Sequence, residues 1–396
     1  MKAWHFSENA YPYLPPEPEY ESIRVTLPNR NYDPKLGAEL YDRFLDEWCI
    51  AEDEGVEIML NEHHQTATCV DPAAPIVLGA LARLTKKARL LILGNPVANR
   101  RQPVRVAEEM AMVDILSKGR LECGFVRGVP YEVLPANSNP VRMNERQWEA
   151  MDLIVKAWTH HDGPFSHEGR FFHHRNVNIW PRPYQQPHPP VWVSTTSPGG
   201  AKRVGARGYV QATFLTGYKE TAAIYNAYRA GWREAGRGQD IPINRLAYAC
   251  LLYAGDTEQQ ARAGAEKLLW YMTSNKVPPH FQYPPGYLPP AAQVNLIRGA
   301  TLDQHAANRG NATVDKAIEA GIMFAGTPDQ VYRQIKKFYD HIGGFGHLLI
   351  MGQAGFLEHD ETVAGIRCFA RNVYPRLKEE FSDLAISGPE KERVVA

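Results

Sequence analysis

Three features of this 396-residue chain predict an α/β fold, a TIM (β/α)8 barrel with long loop excursions. Apolar strand-like runs alternate with amphipathic helix-like stretches about eight times, the count such a barrel needs. The strand runs are continuously apolar, as parallel strands covered on both faces are. No G-x-G-x-x-G or Walker A pattern follows an early strand, which weighs against the competing doubly wound sheet. The chain reads as one domain over 1–396, with insertions at about 7–34, 162–189 and 276–310.

In order, Ala3 to Phe6 predicts a first strand, and the Pro- and Tyr-rich Ser7 to Pro34 a long loop. Lys35 to Glu54 predicts a helix with Leu36, Leu40, Phe44, Leu45 and Trp48 on one stripe, stopped at Gly55. Val56 to Leu60 is the second strand. Pro72 to Leu84 reads as a helix capped by Asp71. Strand Ala88 to Leu93 ends at Gly94-Asn95-Pro96, helix Pro103 to Leu116 follows, and Gly119-Arg120 turns into strand Leu121 to Val126. Helix Asn144 to Trp158 leads to an irregular excursion, Asp162 to Pro189.

Strand Val191 to Ser194 then resumes the pattern, with helix Ala201 to Ala206, strand Tyr209 to Phe214 and helix Tyr218 to Ala235. Strand Arg245 to Tyr253 and helix Thr257 to Tyr271 precede the excursion Lys276 to Gly310. Thr327-Pro328-Asp329 caps a helix ending near His341; His347 to Met351 is the last strand and Thr362 to Arg371 lies in the last helix. Leu377 onward reads as a surface tail.

Lys+Arg and Asp+Glu balance at 44 each, so no charge excess points to nucleic acid or an anionic membrane. Five scattered cysteines without a CxxC pair suit a reducing compartment. No run reaches membrane-spanning length and the N-terminus lacks a signal-like apolar region, so the expectation is a cytoplasmic protein.

The chemistry concentrates at strand ends. Glu62-His63-His64 closes the second strand, and an acid and two imidazoles are costly to bury there without partners. Neighbouring strand residues face opposite sides, so adjacent histidines share a metal poorly and no metal is expected. Mutually satisfied structural histidines are the plainer reading; a ligand-facing acid and imidazole is the sharper one. Asn95 ends strand three in what is first of all a turn. Arg127-Gly128 ends strand four, either as a solvated charge or as an anion clamp. Thr195-Thr196-Ser197 before Gly199-Gly200 offers hydroxyls and N–H groups at a helix start, suited to phosphate or to ordinary N-capping. With Arg127 on the same barrel face, a phosphorylated cofactor is favoured.

These segments resemble the bacterial luciferase-like flavin monooxygenases. The matching blocks are Glu62-His63-His64, Ala88 to Leu93, Gln102 to Glu109, Asp114 to Gly124 running into Arg127-Gly128, Pro190 to Ser194, and Ala325 to Pro328. The resemblance covers roughly residues 35 to 375. It implies reduced FMN at the strand C-terminal face, with Glu62 and Asn95 near the flavin ring and Arg127, Thr195, Thr196 and Ser197 on its phosphate. His63 matches the histidine beside the reactive flavin carbon and His64 its neighbour, both catalytic. An unusual cis peptide is expected at Pro96-Val97.

The implied activity is a two-component monooxygenase: a separate NAD(P)H:flavin reductase supplies reduced FMN, and O2 adds at the flavin C4a position as a (hydro)peroxide. His63, neutral near pH 7, exchanges the proton. The aromatic, proline-rich excursions suggest a lid (Tyr283 to Pro290 especially) and a small apolar or aromatic substrate. Rival readings are a coenzyme F420-dependent oxidoreductase of the same fold and a non-catalytic flavin-binding protein; a metallohydrolase is the metal-dependent alternative. A homodimer is implied through helices Pro72 to Leu84 and Pro103 to Leu116.

Overall fold

The computed structural model describes residues 1–16, 19–273, 277–297 and 312–381; Lys276 and residues 298–310 of the third excursion, and 382–396 of the tail, lie outside them. Strands β1 (Lys2–Ser7), β2 (Glu57–Leu60), β3 (Leu90–Pro96), β4 (Leu121–Val126), β7 (Val191–Ser194), β8 (Val210–Phe214), β9 (Leu246–Ala254) and β11 (His347–Gln353) form a closed parallel ring. The β1–β11 and β8–β9 pairings complete the closure. A further strand, β10 (Met323–Gly326), pairs with the far half of β9. It spans four residues and was not among the strands expected from the sequence.

The strand pleat splits the core in two. Trp4, Phe6, Leu91, Leu93, Ala247, Ala249, Leu251, Leu349 and Met351 pack inside the barrel, at every second position. Their neighbours Ala3, Ile58, Leu60, Leu90, Ile92, Leu348 and Ile350 pack outward against the helices. Both faces are buried, hence the continuous apolar runs. The helices between strands include α1 (Pro34–Asp53), α2 (Ala74–Leu84), α3 (Pro103–Leu116), α4 (Met143–Thr159), α5 (Pro198–Arg207), α6 (Gly217–Glu234) and α7 (Glu258–Thr273). Helices α5 and α6 pack backbone to backbone, because a Cβ on Gly231 would overlap the Lys202 carbonyl and one on Gly205 the Tyr228 carbonyl.

Four expectations are corrected. Asp71 does not cap α2: the N-cap is Ala73, Asp71 is buried, and Glu62 Oε2 accepts the Ala74 N–H at 3.3 Å. The excursion after α4 is not irregular throughout; β5 (Phe165–Glu168) and β6 (His173–Val177) form an antiparallel hairpin. Leu377 is buried in the helix Tyr374–Glu380, and Phe381 stacks on Tyr339 at 4.0 Å, so the tail does not start there. The cis peptide falls at Leu93-Gly94, within β3, and not at Pro96-Val97.

The two barrel ends differ in kind. At the strand N-terminal end, Trp4 Nε1 donates to His347 Nδ1 at 3.1 Å and Trp192 Nε1 to Glu122 Oε2 at 2.6 Å. His347 Nε2 therefore carries the proton and donates it to the Asn244 carbonyl at 2.9 Å. This end is closed by packed aromatic and paired polar groups, whereas the opposite end carries the groups described next. Among the described residues no helix is long and apolar enough to cross a membrane.

Candidate active site

Because the strands are parallel, their C-terminal ends share one mouth. His63 follows β2, Asn95 lies in β3, Arg127 follows β4 and Thr195 follows β7, and these four strands are consecutive neighbours in the ring. Phe125 pairs with Val193, so Arg127 and Thr195 lie two residues beyond one register pair. The sequence-assigned residues thus occupy one arc of one rim.

His63 is the most constrained of them. Its Nδ1 lies 2.9 Å from Glu132 Oε1, on the short turn Pro130–Glu132 after β4. The same oxygen accepts the His64 backbone N–H at 3.1 Å. A carboxylate partner fixes the proton on Nδ1 and leaves Nε2 as the working atom, 3.9 Å from Glu8 Oε1. Burial opposes charge on this imidazole, but the Glu132 hydrogen bond and the charges of Glu132 and Glu8 outweigh it and raise the pKa above its ordinary value. The imidazole thus holds a proton more readily than an ordinary histidine does. Glu132→Gln is expected to lower the His63 pKa by about one unit or more, since an opposite charge in contact is worth that much. Histidine NMR titration reads it, and an unmoved pKa would remove Glu132 as the cause.

Glu62 is buried and its oxygens are already engaged: Oε1 partners His64 Nε2 at 3.1 Å and takes a charged hydrogen bond from Arg100, while Oε2 starts α2. It locks His64 in place and ties β2 to the loop after β3. Asn95 is the opposite case. Its side chain is wholly buried, and among the described residues neither amide atom has a hydrogen-bond partner. An unmet donor and acceptor in one buried amide is costly, and a ring amide edge would satisfy both.

Arg127 hydrogen-bonds Asn144 Oδ1 at 3.3 Å and the Tyr287 carbonyl at 3.1 Å, with its guanidinium 3.7 Å from the centre of the Tyr287 ring. Tyr287, from the third excursion, in turn donates to the Gly128 carbonyl at 2.7 Å. The excursion therefore reaches the rim, where the sequence placed a lid. Ser197 is the N-cap of α5, accepting from Gly200 N–H at 3.2 Å, and Thr195 Oγ1 accepts from Ser197 N–H at 3.3 Å. Thr196 is exposed. The hydroxyl loop is thus a genuine cap, and it also leaves Gly199 bordered by open space at a helix start.

Sequence reasoning missed Glu8, Arg24, Tyr131 and Glu132. Glu8 follows β1 directly, so the strand-end rule that found His63 also finds it. Its Oε2 accepts from Asn61 Nδ2 at 2.8 Å. Arg24 and the Tyr131-Glu132 pair sit in loops with no periodic signal.

The luciferase-like monooxygenase family model matches residues 24–344. The chain belongs to that family. A curated relative, the oxygenase component of the flavin-dependent trigonelline monooxygenase of Acinetobacter baylyi, is 29% identical over 242 residues, 60% of this chain and 65% of that one. The match therefore spans a little under two thirds of that relative. Among solved structures, the oxygenating constituent of 3,6-diketocamphane monooxygenase from Pseudomonas putida, in complex with FMN, superposes with TM-score 0.70 at 17% identity, covering 95% of this chain and 98% of that one. An F420-dependent secondary alcohol dehydrogenase, in complex with an F420-acetone adduct, does so with TM-score 0.67 at 18% identity, covering 94% and 98%. At such identities the two structures speak for the shared barrel fold alone.

Proposed function

We propose that this luciferase-like monooxygenase family member is the oxygenase of a two-component system, using reduced FMN from a separate NAD(P)H:flavin reductase and O2 to oxygenate a small organic substrate. The observation that carries the reading is the His63 site. One imidazole at the barrel mouth is oriented through Nδ1 by a buried glutamate and keeps Nε2 for a reacting group. The residues present fit the cofactor. Asn95 would meet the ring amide edge with its unpaired donor and acceptor. Arg127 with Thr195, Thr196 and Ser197 would hold the phosphate at the start of α5.

Reduced FMN, when bound, supplies the two electrons that let one oxygen atom of O2 enter the substrate while the other leaves as water. The chain's own residues do the rest. His63 Nε2 holds and returns the proton, Glu132 keeps the imidazole turned and basic, and Glu62 fixes His64 beside it. Tyr287 closes the rim over Arg127 and helps exclude water.

Two further assignments go with this reading. Exposed Ile76 and Leu84 on α2, with Met112, Ile115 and Leu116 on α3, favour a homodimer through those helices; sedimentation showing a monomer in both wild type and Ile76→Asp would end that assignment. The cytoplasm suits a chain whose five cysteines are all unpaired.

A second reading is a coenzyme F420-dependent oxidoreductase, since a protein that binds F420 shares this barrel fold. Anaerobic titration with each reduced cofactor, followed in visible absorption, separates the two. Saturable binding of reduced FMN without a response to reduced F420 is expected; the reverse result would replace the oxygenase with the F420 reading.

A further inference from the structure

Arg24 lies in the first excursion, before α1, and is only 2% exposed. Of its nitrogens, Nη1 donates to the Tyr131 hydroxyl at 3.2 Å. Both Nε and Nη2 are buried and, among the described residues, lack a hydrogen-bond partner. Those two nitrogens are not an arbitrary pair. In a guanidinium the Nε–H and one Nη2–H point the same way, forming the fork that grips a carboxylate with two parallel hydrogen bonds. Leaving that fork empty inside a protein is expensive, because each buried donor without an acceptor forfeits its hydration.

The surroundings say what kind of acceptor fits. The guanidinium lies 5.7 Å from the Tyr131 ring centre and 5.1 Å from that of Tyr271, so flat faces border it. Tyr131 Oη, which fixes Nη1, is also 3.3 Å from His63 Nδ1, placing the fork one phenol away from the working imidazole. Glu8 is the carboxylate whose field reaches Arg24, yet among the described residues no hydrogen bond joins them. Its Oε2 is taken by Asn61, and its Oε1 is buried and unpaired beside His63. Burial raises the proton affinity of Glu8, against the pull of His63, Arg24, Asn61 and Tyr271.

We propose that the Nε–Nη2 edge of Arg24 is a carboxylate clamp, and that the substrate is an organic acid with an aromatic ring, held by its carboxylate next to His63. The clamp rests on the oxygenase reading only for the role of His63; capture of the acid does not depend on flavin. The small apolar or aromatic substrate expected from the composition of the excursions is thereby narrowed to an aromatic one with an anionic handle.

The test uses the full chain and simple probes: benzoate and nicotinate against methyl benzoate and benzamide, titrated by calorimetry without flavin. The acids are expected to bind at least tenfold more tightly than their neutral counterparts. Arg24→Met should erase that preference. Arg24→Lys keeps the charge but not the fork, and should lose most of it while melting near wild type, so the clamp stays testable if Arg24→Met fails to fold. FMN affinity, measured in parallel by fluorescence quenching, should change less than about threefold in Arg24→Lys, the scatter a remote site allows. Equal binding of acid and ester, no acid binding to wild type, or a preference that survives both substitutions would overturn the clamp, as would loss of FMN binding in Arg24→Lys. Acid binding intact in a wild type that binds no FMN would support the clamp and strike the oxygenase reading alone.

Discussion

Arg89→Met is expected to cost about 3–5 kcal/mol of stability, the usual cost of removing one partner from a buried ion pair. Arg89 Nε makes a charged hydrogen bond to Glu122 Oε1 at the strand N-terminal end of the barrel. Its Nη2 also donates to the Leu121 carbonyl at 3.3 Å and to Gln185 Oε1 at 3.2 Å. Burial alone would push the Glu122 carboxyl pKa up; the charges of Arg89 and Lys2 and the Arg89 hydrogen bond reverse this and hold it below the ordinary range. Without Arg89 the carboxylate is stranded in the core, and its pKa rises.

The sign with pH follows from that reversal. In wild type a depressed folded-state pKa gives Glu122 a stabilising share that is present above the unfolded pKa and lost on acidification through the folded one. In Arg89→Met the folded pKa lies above the unfolded value, so the deficit grows as pH rises. Urea midpoints should therefore fall further at pH ~8 than at pH ~5, and adding Glu122→Gln, which still accepts from Trp192 Nε1, should recover more than half of the loss. A loss under about 1 kcal/mol at both pH values would show that the pair contributes no more than a surface ion pair.

His63→Ala carries the largest effect on activity. Removing a positioned acid–base group lowers turnover by about 10²–10⁴-fold, while reduced FMN affinity should stay within about threefold because no phosphate-binding group is touched. The readout is product formed per reduced FMN oxidised, over a panel of ketones, alkenes and aromatic acids, with hydrogen peroxide counted as the wasted remainder. In the variant the balance should swing to peroxide. Glu132→Gln should lie between the two enzymes, with the limb of the pH profile that His63 sets moved to lower pH as the His63 pKa falls. Turnover unchanged in His63→Ala would take the imidazole out of the reaction.

How far the sequence carried these arguments differs between scaffold and site. Periodicity located the strands that line the ring, because burial on both faces makes them apolar throughout; Val191 to Ser194 was placed to the residue. Ends were harder where tertiary contacts decide them. β3 runs on through Gly94, Asn95 and Pro96, which locally read as a turn. The start of α2 is fixed by Glu62, twelve residues upstream, and not by the adjacent Asp71, an exchange no local capping rule anticipates.

At the site, each residue assigned from the sequence sits at a strand end, where the barrel geometry itself says to look. The unassigned partners are those that loops deliver across space. Glu132 reaches His63 from 69 residues away and Arg24 reaches Tyr131 from 107. They change the chemistry: two carboxylates far from it in the sequence raise the proton affinity of His63 above that of an ordinary histidine.

The most direct test of the flavin-binding mouth compares reduced FMN with reduced riboflavin, titrated anaerobically into wild type, Asn95→Ala and Arg127→Met. With ring and phosphate held at one rim, wild type should bind FMN at least tenfold more tightly than riboflavin. Arg127→Met should remove most of that difference, and Asn95→Ala should weaken both ligands alike. Equal affinity for the two flavins in wild type, or no binding of either, would contradict the placement of a flavin phosphate between Arg127 and the Thr195–Ser197 loop.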